Sequence, residues 1–304
     1  GGDPFFGDES AAQLARAVRA AGVARIDGAV LGDESGFDRR RSGCCSGYDS
    51  DLGGVLSALA YNRGFFAGAL RLDAARFAAT RFAALLTAAG VRSSAAPRSG
   101  TAPPAAGEIA GLPSMPVREL IRFINVPSNN FAAEMLLKVL GERYRASGTT
   151  RNGAAVVRET MSGLGARAQV ADGSGLSRSD RTSPRDVVRL LERMDEPDVD
   201  DVFRSSLAVA GRTGTVKGRM RRTAAAERCR VKTGTLHNVS GLAGYCRTAG
   251  GRDVAFSLMF NRATPYIEKA REDRIVGAIA RLQGASATAP EGQVPAPSGG
   301  AGPS

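Results

Sequence analysis

The stretch at residues 231–246, VKTGTLHNVSGLAGYC, constrains the fold more than any other part of this 304-residue chain. Residues that favour extended backbone stand on both sides of His237 and Asn238, which supply turn chemistry. A two-residue turn at these positions places Leu236 opposite Val239, and it fixes every further pair outward along both strands. The sequence therefore predicts an antiparallel hairpin, with Cys229 directly opposite Cys246 and a further strand following at residues 254–260.

This register leaves two interpretations of the paired cysteines. Cysteines that face each other across two strands can lie within bridging distance, and a bridge suits an oxidising, extracytoplasmic setting. Two small buried residues without a bond are the preferred alternative. The other two cysteines, Cys44 and Cys45, are adjacent, and the chain has one histidine, so no zinc-ligand spacing is present. We expect no metal and no other cofactor.

The first arm of the hairpin carries a cation, a hydroxyl, a glycine and a second hydroxyl in succession: Lys232, Thr233, Gly234 and Thr235. A cation attracts a carboxylate, hydroxyls donate hydrogen bonds to it, and a glycine lets a peptide backbone approach closely. This set predicts a binding site for a substrate carboxylate, and an ordinary edge strand is the alternative. A similar stretch at residues 212–215 is flanked by turn residues, so the later copy is preferred.

A second polar cluster, Ser128 to Asn130, stands directly before an apolar pattern that runs from Phe131 to Gly141. This arrangement predicts a helix with a polar N-cap and a C-terminal glycine. Another helix is predicted at residues 117–124, so Ser128 lies at a junction between two helices. Such a junction can project polar side chains into a cleft, and capping alone is the alternative.

A Ser-x-Asn sequence followed about a hundred residues later by Lys-Thr-Gly resembles two of the three signatures of penicillin-binding proteins and serine β-lactamases. Four further stretches agree with one branch of these proteins: GGDP at residues 1–4, SALAYNRG at 57–64, DGSGLSR at 172–178 and AGRTGT at 210–215. From about Gly1 to about Leu282 the chain resembles the class C low-molecular-mass penicillin-binding proteins, the D-alanyl-D-alanine carboxypeptidases and endopeptidases of peptidase family S13.

The resemblance implies a mixed α/β (α+β) fold, in which an antiparallel sheet is flanked by helices. Residues 1–95 are expected to form a smaller inserted α+β accessory region, and residues 96–283 the remainder of the transpeptidase-like domain with both motifs. The tail at residues 284–304 is rich in Pro, Gly, Ala and Ser, which predicts disorder. Residues 32–54 predict a loop, in which Asp33, Glu34 and Asp38 would be solvated.

The resemblance also implies catalytic roles for Ser128, Asn130 and Lys232. Ser128 would relay a proton toward the leaving amine, and Asn130 would orient the substrate amide. Lys232 would assist the proton transfer and attract the terminal carboxylate of the substrate.

Thr233, Gly234 and Thr235 are implied to bind substrate, and the backbone N–H of Thr235 would be one donor of the oxyanion hole. The substrates would be peptidoglycan stem peptides ending in D-Ala-D-Ala, which a serine attacks to form an acyl-enzyme. The complete enzyme would also bind β-lactams. The implied location is periplasmic or extracytoplasmic.

The nucleophile of the family, the serine of a Ser-x-x-Lys motif, is missing. The residues three before the four lysines are Met135, Gly214, Cys229 and Tyr266. Ser174 in the DGSGLSR stretch is no replacement, because Asp172 stands where a Gly-x-Ser-x-Gly elbow needs glycine, and we predict a structural loop there. We expect the chain to be the C-terminal portion of a longer protein whose serine and signal peptide lie elsewhere.

Two alternative functions remain. One is a protein that naturally lacks the nucleophile and binds cell-wall peptides or a protein partner without catalysis. The other is a β-lactamase-like hydrolase, which the long insertion between the motifs disfavours.

The net charge of +11 raises the question of nucleic-acid binding. Only four of the 41 basic residues are lysines, and the arginines are scattered without interleaved aromatic residues, which is typical of a compositional bias. We expect no nucleic-acid role, and weak attraction to anionic wall polymers is the alternative. No apolar run approaches the roughly 20 residues that cross a bilayer, so no transmembrane segment is predicted.

Overall fold

The computed structural model of the chain describes residues 1–43, 49–197 and 199–283. The α-helices in these ranges are α1 Asp8–Ala20, α2 Ala74–Ala88, α3 Val117–Asn125, α4 Asn130–Arg145, α5 Thr150–Gly163, α6 Pro184–Arg193, α7 Asp200–Ser206 and α8 Pro265–Arg281. The strands are β1 Arg25–Ile26, β2 Leu31–Gly32, β3 Phe65–Phe66, β4 Ala69–Leu70, β5 Arg92–Ser93, β6 Arg98–Ser99, β7 Ala168–Gln169, β8 Arg181–Thr182, β9 Ala208–Val209, β10 Cys229–Leu236, β11 Val239–Arg247 and β12 Asp253–Asn261. None of the helices in these ranges is long and apolar enough to span a membrane.

The largest sheet of the described residues is antiparallel and has the strand order β12-β11-β10-β9. β10 and β11 form the predicted hairpin, with Leu236 opposite Val239 and Cys229 opposite Cys246. The predicted register is therefore confirmed. The two cysteines form a disulfide, so the preference for two unbonded residues is wrong. Cys44 and Cys45 lie outside the described residues.

The two faces of this sheet pack against different helices. Val231, Leu242 and Phe256 lie in a core that also contains Val276 of α8. On the other face, Tyr245 packs with residues of α6 and α7, together with Ala243 of the same strand. Because side chains alternate along a strand, Lys232, which faces Ala243 across the hairpin, lies on this second face.

α4 begins where the sequence predicts but continues past Gly141, so the predicted end of the helix is wrong. Its neighbour α5 packs against it so closely that a Cβ atom on Gly141 would lie 2.8 Å from the backbone nitrogen of Gly153. Conversely, a Cβ atom on Gly153 would lie 2.0 Å from the carbonyl oxygen of Leu137. Gly141 therefore serves the contact between two helices, and α4 ends one turn later. The predicted helix at residues 117–124 is confirmed as α3.

The first hundred residues contain α1, α2 and six short strands. β1 pairs with β5 and β2 pairs with β6, in both cases in parallel, and β3 pairs with β4. These pairings continue to Gly100, whose N–H donates to the carbonyl of Gly32 at 3.0 Å. The boundary near residue 95 stays a prediction, and the predicted disordered tail at 284–304 lies outside the described residues.

The loop that follows β2 is less solvated than predicted: the prediction is wrong for Glu34, and Asp38 is only partly exposed. Both terminal nitrogens of Arg41 donate to Glu34, at 2.6 and 2.8 Å. Although burial opposes it, this ion pair contributes to a lowered pKa for Glu34. Asp38 forms an ion pair with Lys138 of α4, whose side chain is fully buried. This second pair links the loop to the helix that carries Asn130.

Candidate functional site

Ser128 lies in the turn between α3 and α4, with a backbone φ of 60°. This left-handed conformation is uncommon for residues other than glycine, and hydrogen bonds of the next residue hold it. The N–H of Asn129 donates to the carbonyl of Ile124 at 2.9 Å. The side chain of Asn129 caps α4 by accepting from the N–H of Ala132 at 3.1 Å. Two adjacent bonds therefore fix the backbone that presents the hydroxyl of Ser128.

Lys232 approaches the same point from the middle of β10. Its Nζ donates to Oγ of Ser128 at 2.7 Å and to the carbonyl of Thr233 at 2.9 Å. Burial lowers the pKa of Lys232 to about 8, because loss of solvent disfavours the charged form. No carboxylate of the described residues compensates for this loss. The structure thus brings two predicted residues, 104 positions apart, into direct contact.

The remaining predicted residues lie around this pair. Asn130 is the first residue of α4, and its Nδ2 donates to the carbonyl of Asp51 at 2.9 Å. This bond fixes the amide at the border of the first hundred residues and leaves its Oδ1 as an acceptor. Thr233 Oγ1 donates to Thr215 Oγ1 at 2.9 Å. Thr235 is exposed and lies further along β10.

The outer edge of β10 has no strand partner beyond Val231 among the described residues, because β9 pairs only with Arg230 and Val231. The N–H of Arg247 donates to the carbonyl of Arg228, which sets the alternation of hydrogen bonds along the hairpin. In this alternation the backbone N–H groups of residues 233 and 235 point away from β11. An extended peptide can therefore add to this edge as a strand.

A cavity of about 1030 Å³ adjoins Gly234 and Thr235. It lies between the sheet and the two helices that flank Ser128, α3 and α4. Its apolar wall includes Ile121, Ile124, Leu136, Leu137, Leu140, Val239 and Met259. Ser128 and Lys232 are not among its described lining residues. The cavity and the Ser128–Lys232 pair thus adjoin different parts of the same strand, and the cavity has the size of a small-molecule site.

The DGSGLSR loop has hydrogen bonds that suit a structural role. Oγ of Ser174 donates to Oε1 of Glu134 at 2.7 Å, and the N–H groups of Gly173 and Ser174 donate to the same oxygen at 2.9 Å. Glu134 is fully buried, and burial raises its pKa, an effect to which the nearby Asp172 adds. Sequence reasoning missed this glutamate. An acidic residue within the apolar pattern of α4, one turn after Asn130, was the signal that could have revealed it.

Thr215 is the other residue that sequence reasoning missed at the site. The turn residues around positions 212–215 favour the later copy as the binding site, and the structure nevertheless places Thr215 against Thr233. The internal similarity of the two Thr-Gly-Thr sequences was the available signal. Similarity alone gives no contact, because residues 215 and 233 belong to different segments of the chain.

Comparison with protein families assigns most of the chain. The D-Ala-D-Ala carboxypeptidase 3 (S13) family matches residues 61–282. The D-alanyl-D-alanine carboxypeptidase of Actinomadura sp. (strain R39) is 38% identical over 173 residues, which are 54% of this chain and 32% of that protein. The chain therefore spans about a third of the length of this curated relative.

Solved structures agree on the fold. The crystal structure of penicillin binding protein 4 (dacB) from Haemophilus influenzae matches with a TM-score of 0.78 at 18% identity, over 92% of this chain and 81% of that chain. A structure of the same protein complexed with a novel β-lactam matches with a TM-score of 0.57 at 25% identity, over 68% of this chain and 50% of that chain. The predicted α+β fold, an antiparallel sheet flanked by helices, is confirmed.

Proposed function

Because the chain belongs to the D-Ala-D-Ala carboxypeptidase 3 (S13) family, we propose that it forms part of a serine-type D-Ala-D-Ala carboxypeptidase or endopeptidase. Its substrates would be peptidoglycan stem peptides, and β-lactams would compete for the same site. The reaction would take place in the periplasm or another extracytoplasmic compartment. The observation that carries the proposal is Lys232, a largely buried cation with a pKa of about 8, whose partners in the described part of the chain are both uncharged. It stands beside the free edge of β10.

A peptide carboxylate is the ligand that this arrangement favours. An anion next to Lys232 supplies the opposite charge that the described residues do not, and it stabilises the protonated ammonium. The hydroxyls of Thr233 and Thr235 can donate to the two carboxylate oxygens. The absence of a side chain at Gly234 lets the peptide backbone lie close to the strand. Lys232, Thr233 and Thr235 would therefore hold the C-terminal end of the substrate.

The Ser128–Lys232 contact supports a proton relay. When Lys232 is protonated, it donates to Oγ of Ser128, so the hydroxyl proton of Ser128 is free to be given to another acceptor. In the proposed reaction that acceptor is the amine that leaves when the bond between the two D-alanines breaks. The ammonium of Lys232 already donates to the hydroxyl oxygen of Ser128, so it can replace the proton that Ser128 transfers.

The other roles follow from the free edge and from Asn130. The N–H of Thr235 points toward the edge, where it would donate to the carbonyl oxygen as negative charge develops. The Oδ1 of Asn130 would accept from the substrate amide. These positions would form only part of a catalytic site. The nucleophilic serine of a Ser-x-x-Lys motif is missing, because the sequence contains no such motif. The same observation favours a second candidate function, non-catalytic binding of wall peptides.

Equilibrium binding tests the carboxylate site. Isothermal titration calorimetry of the 304-residue chain would compare diacetyl-L-Lys-D-Ala-D-Ala with the same peptide carrying a C-terminal amide. We expect the acid to bind at least about tenfold more tightly than the amide, since a charge-assisted contact with Lys232 is lost in the amide. Lys232→Met should remove this preference. Lys269→Met, which removes the same charge from α8, is the matched control and should retain it.

Equal affinities for acid and amide, or an unchanged preference in Lys232→Met, would contradict the proposed site. Penicillin treatment followed by intact-mass measurement separates the two candidate functions from an unrecognised nucleophile. The chain should show no covalent adduct, and a stoichiometric adduct on any serine would overturn the assignment of the missing nucleophile. Turnover of the peptide by a longer form of the protein, with binding unchanged in the 304-residue chain, would favour the enzyme over the non-catalytic module.

A further inference from the structure

The segment at residues 210–216, which ends in the short 3-10 helix Gly214–Val216 and which we name the RTGT loop, has no role in the proposed function, yet hydrogen bonds and packing hold it firmly. The N–H of Val209 donates to Oγ1 of Thr213 at 2.8 Å. The N–H of Gly211 donates to the carbonyl of Val216 at 3.1 Å. Val216 is fully buried in the core beneath the sheet. The position of the loop is therefore fixed by contacts away from Ser128 and Lys232.

One side of the RTGT loop lies against the turn that presents Ser128. The N–H of Thr215 donates to the carbonyl of Val126 at 3.3 Å, two residues before Ser128. Gly214 has a φ of 54°, and a Cβ atom there would lie 2.1 Å from the same carbonyl oxygen. Only a residue without a side chain allows this approach. The close contact thus couples the position of the loop to that of the Ser128 turn.

The other side of the loop reaches the strand that carries the second motif. Thr233 Oγ1 donates to Thr215 Oγ1 at 2.9 Å. Thr215 is exposed at the open edge of β10, where the proposed carboxylate would lie. A single residue therefore touches both segments of the candidate site, with its backbone on one side and its hydroxyl on the other.

We infer that Thr215 is a positioning residue for Thr233, which would act as a carboxylate donor; the inference rests on the proposed function. A hydroxyl has one proton to donate and can accept through its lone pairs. A carboxylate only accepts, so Thr233 must turn its proton from Thr215 to the ligand when the ligand binds. Thr215 then rotates its own proton toward Oγ1 of Thr233. The resulting chain of donors, Thr215 to Thr233 to carboxylate, strengthens each bond by polarisation.

Calorimetry with the acid and amide peptides tests this chain of donors. Thr215→Val keeps the shape of the side chain and removes the hydroxyl, and we expect it to lower the affinity for the acid about fivefold, as one hydrogen bond is worth. Affinity for the amide should change little. Thr215→Ser keeps a hydroxyl and should restore binding of the acid. In a Thr233→Val background, Thr215→Val should have no further effect, because the two hydroxyls act in series.

Thr213→Val is the matched control, because it removes a hydroxyl from the same loop that accepts from the backbone N–H of Val209 and has no contact with Thr233 among the described residues. It should lower the thermal midpoint without changing the acid-to-amide ratio. An unchanged ratio in Thr215→Val, or additive losses in the double variant, would overturn this inference alone. Absence of any acid preference in the unmodified chain would overturn the proposed function and this inference with it.

Discussion

Lys138 and Lys232 are both withdrawn from solvent, and burial lowers the pKa of each, but their partners differ. Lys138 is fully buried in α4 and forms an ion pair with Asp38, and its Nζ also donates to the carbonyl of Arg40 at 3.1 Å. Lys232 has a hydroxyl and a carbonyl as its described partners. Lys138 thus has its counter-charge within the fold, whereas Lys232 has none among the described residues.

This difference distinguishes the structural role of Lys138 from the ligand-binding role that we propose for Lys232. The ion pair of Asp38 with Lys138 has both charges within the protein, and it helps to connect the first hundred residues to α4. A buried cation without a carboxylate raises the free energy of the folded chain, and an anionic ligand can recover that cost. Loss of the carboxylate of Asp38 should therefore lower the stability of the chain. Loss of the ammonium of Lys232 should instead raise the stability and weaken the binding of an anionic ligand.

The largest effect is expected at the complete pair. Asp38→Ala leaves the ammonium of Lys138 buried without its counter-charge, which should lower the free energy of unfolding by about 3–5 kcal/mol. Urea denaturation at pH 7 measures this loss. The double variant Asp38→Ala with Lys138→Met removes both charges and should regain most of the stability. A single variant within about 1 kcal/mol of the unmodified chain would show that the pair does not carry the link.

Substitution of the other lysine should have the opposite sign. Lys232→Met removes a buried cation that has no carboxylate partner within residues 1–43, 49–197 and 199–283, so the free energy of unfolding at pH 7 should rise by about 1–3 kcal/mol. The pKa of Lys232 is about 8 in the fold, against an ordinary value of 10.5. The buried ammonium therefore destabilises the folded chain by its full amount below pH 8. This destabilisation disappears as the pH rises to 10.5, because only the unfolded chain binds the proton between these two values.

Urea titrations of both proteins across this pH range measure the predicted difference. The gap between Lys232→Met and the unmodified chain should close toward high pH, and Lys269→Met is the control for general charge effects. If Lys232→Met is less stable than the unmodified chain at pH 7, Lys232 stabilises the fold as Lys138 does. That result would contradict the proposed difference between the two lysines.

The smallest effect is the pH dependence of ligand binding. A bound carboxylate should raise the pKa of Lys232 above about 8, so binding should take up protons near that pH. Affinity for the acid peptide should then fall as the pH rises through 8, approaching about tenfold per pH unit. Calorimetry in two buffers of different ionisation enthalpy measures the proton uptake directly. Uptake that persists in Lys232→Met would assign it to another group.

The sequence by itself determined the elements that local interactions specify. Turn chemistry at His237 and Asn238 set the register of the hairpin, because a two-residue turn leaves one pairing for every later residue. A polar cap before an apolar pattern set the beginning of α4 at Asn130. The order of residues along β10 also predicts Lys232 and its neighbours as one binding set, since they are consecutive on a single strand, and this role stays a proposal.

Only the tertiary structure decided which distant groups meet. By its sequence pattern Gly141 predicts the end of a helix, whereas in the structure it allows the close packing of α5 against α4. Asp38 and Lys138 are 100 positions apart, and the pairing that gives Asp38 a buried partner depends on how a loop folds onto a helix. Ser128 with Lys232 and Thr215 with Thr233 are likewise contacts between segments. Their geometry comes from the packing of the sheet against its helices, which no local pattern of residues specifies.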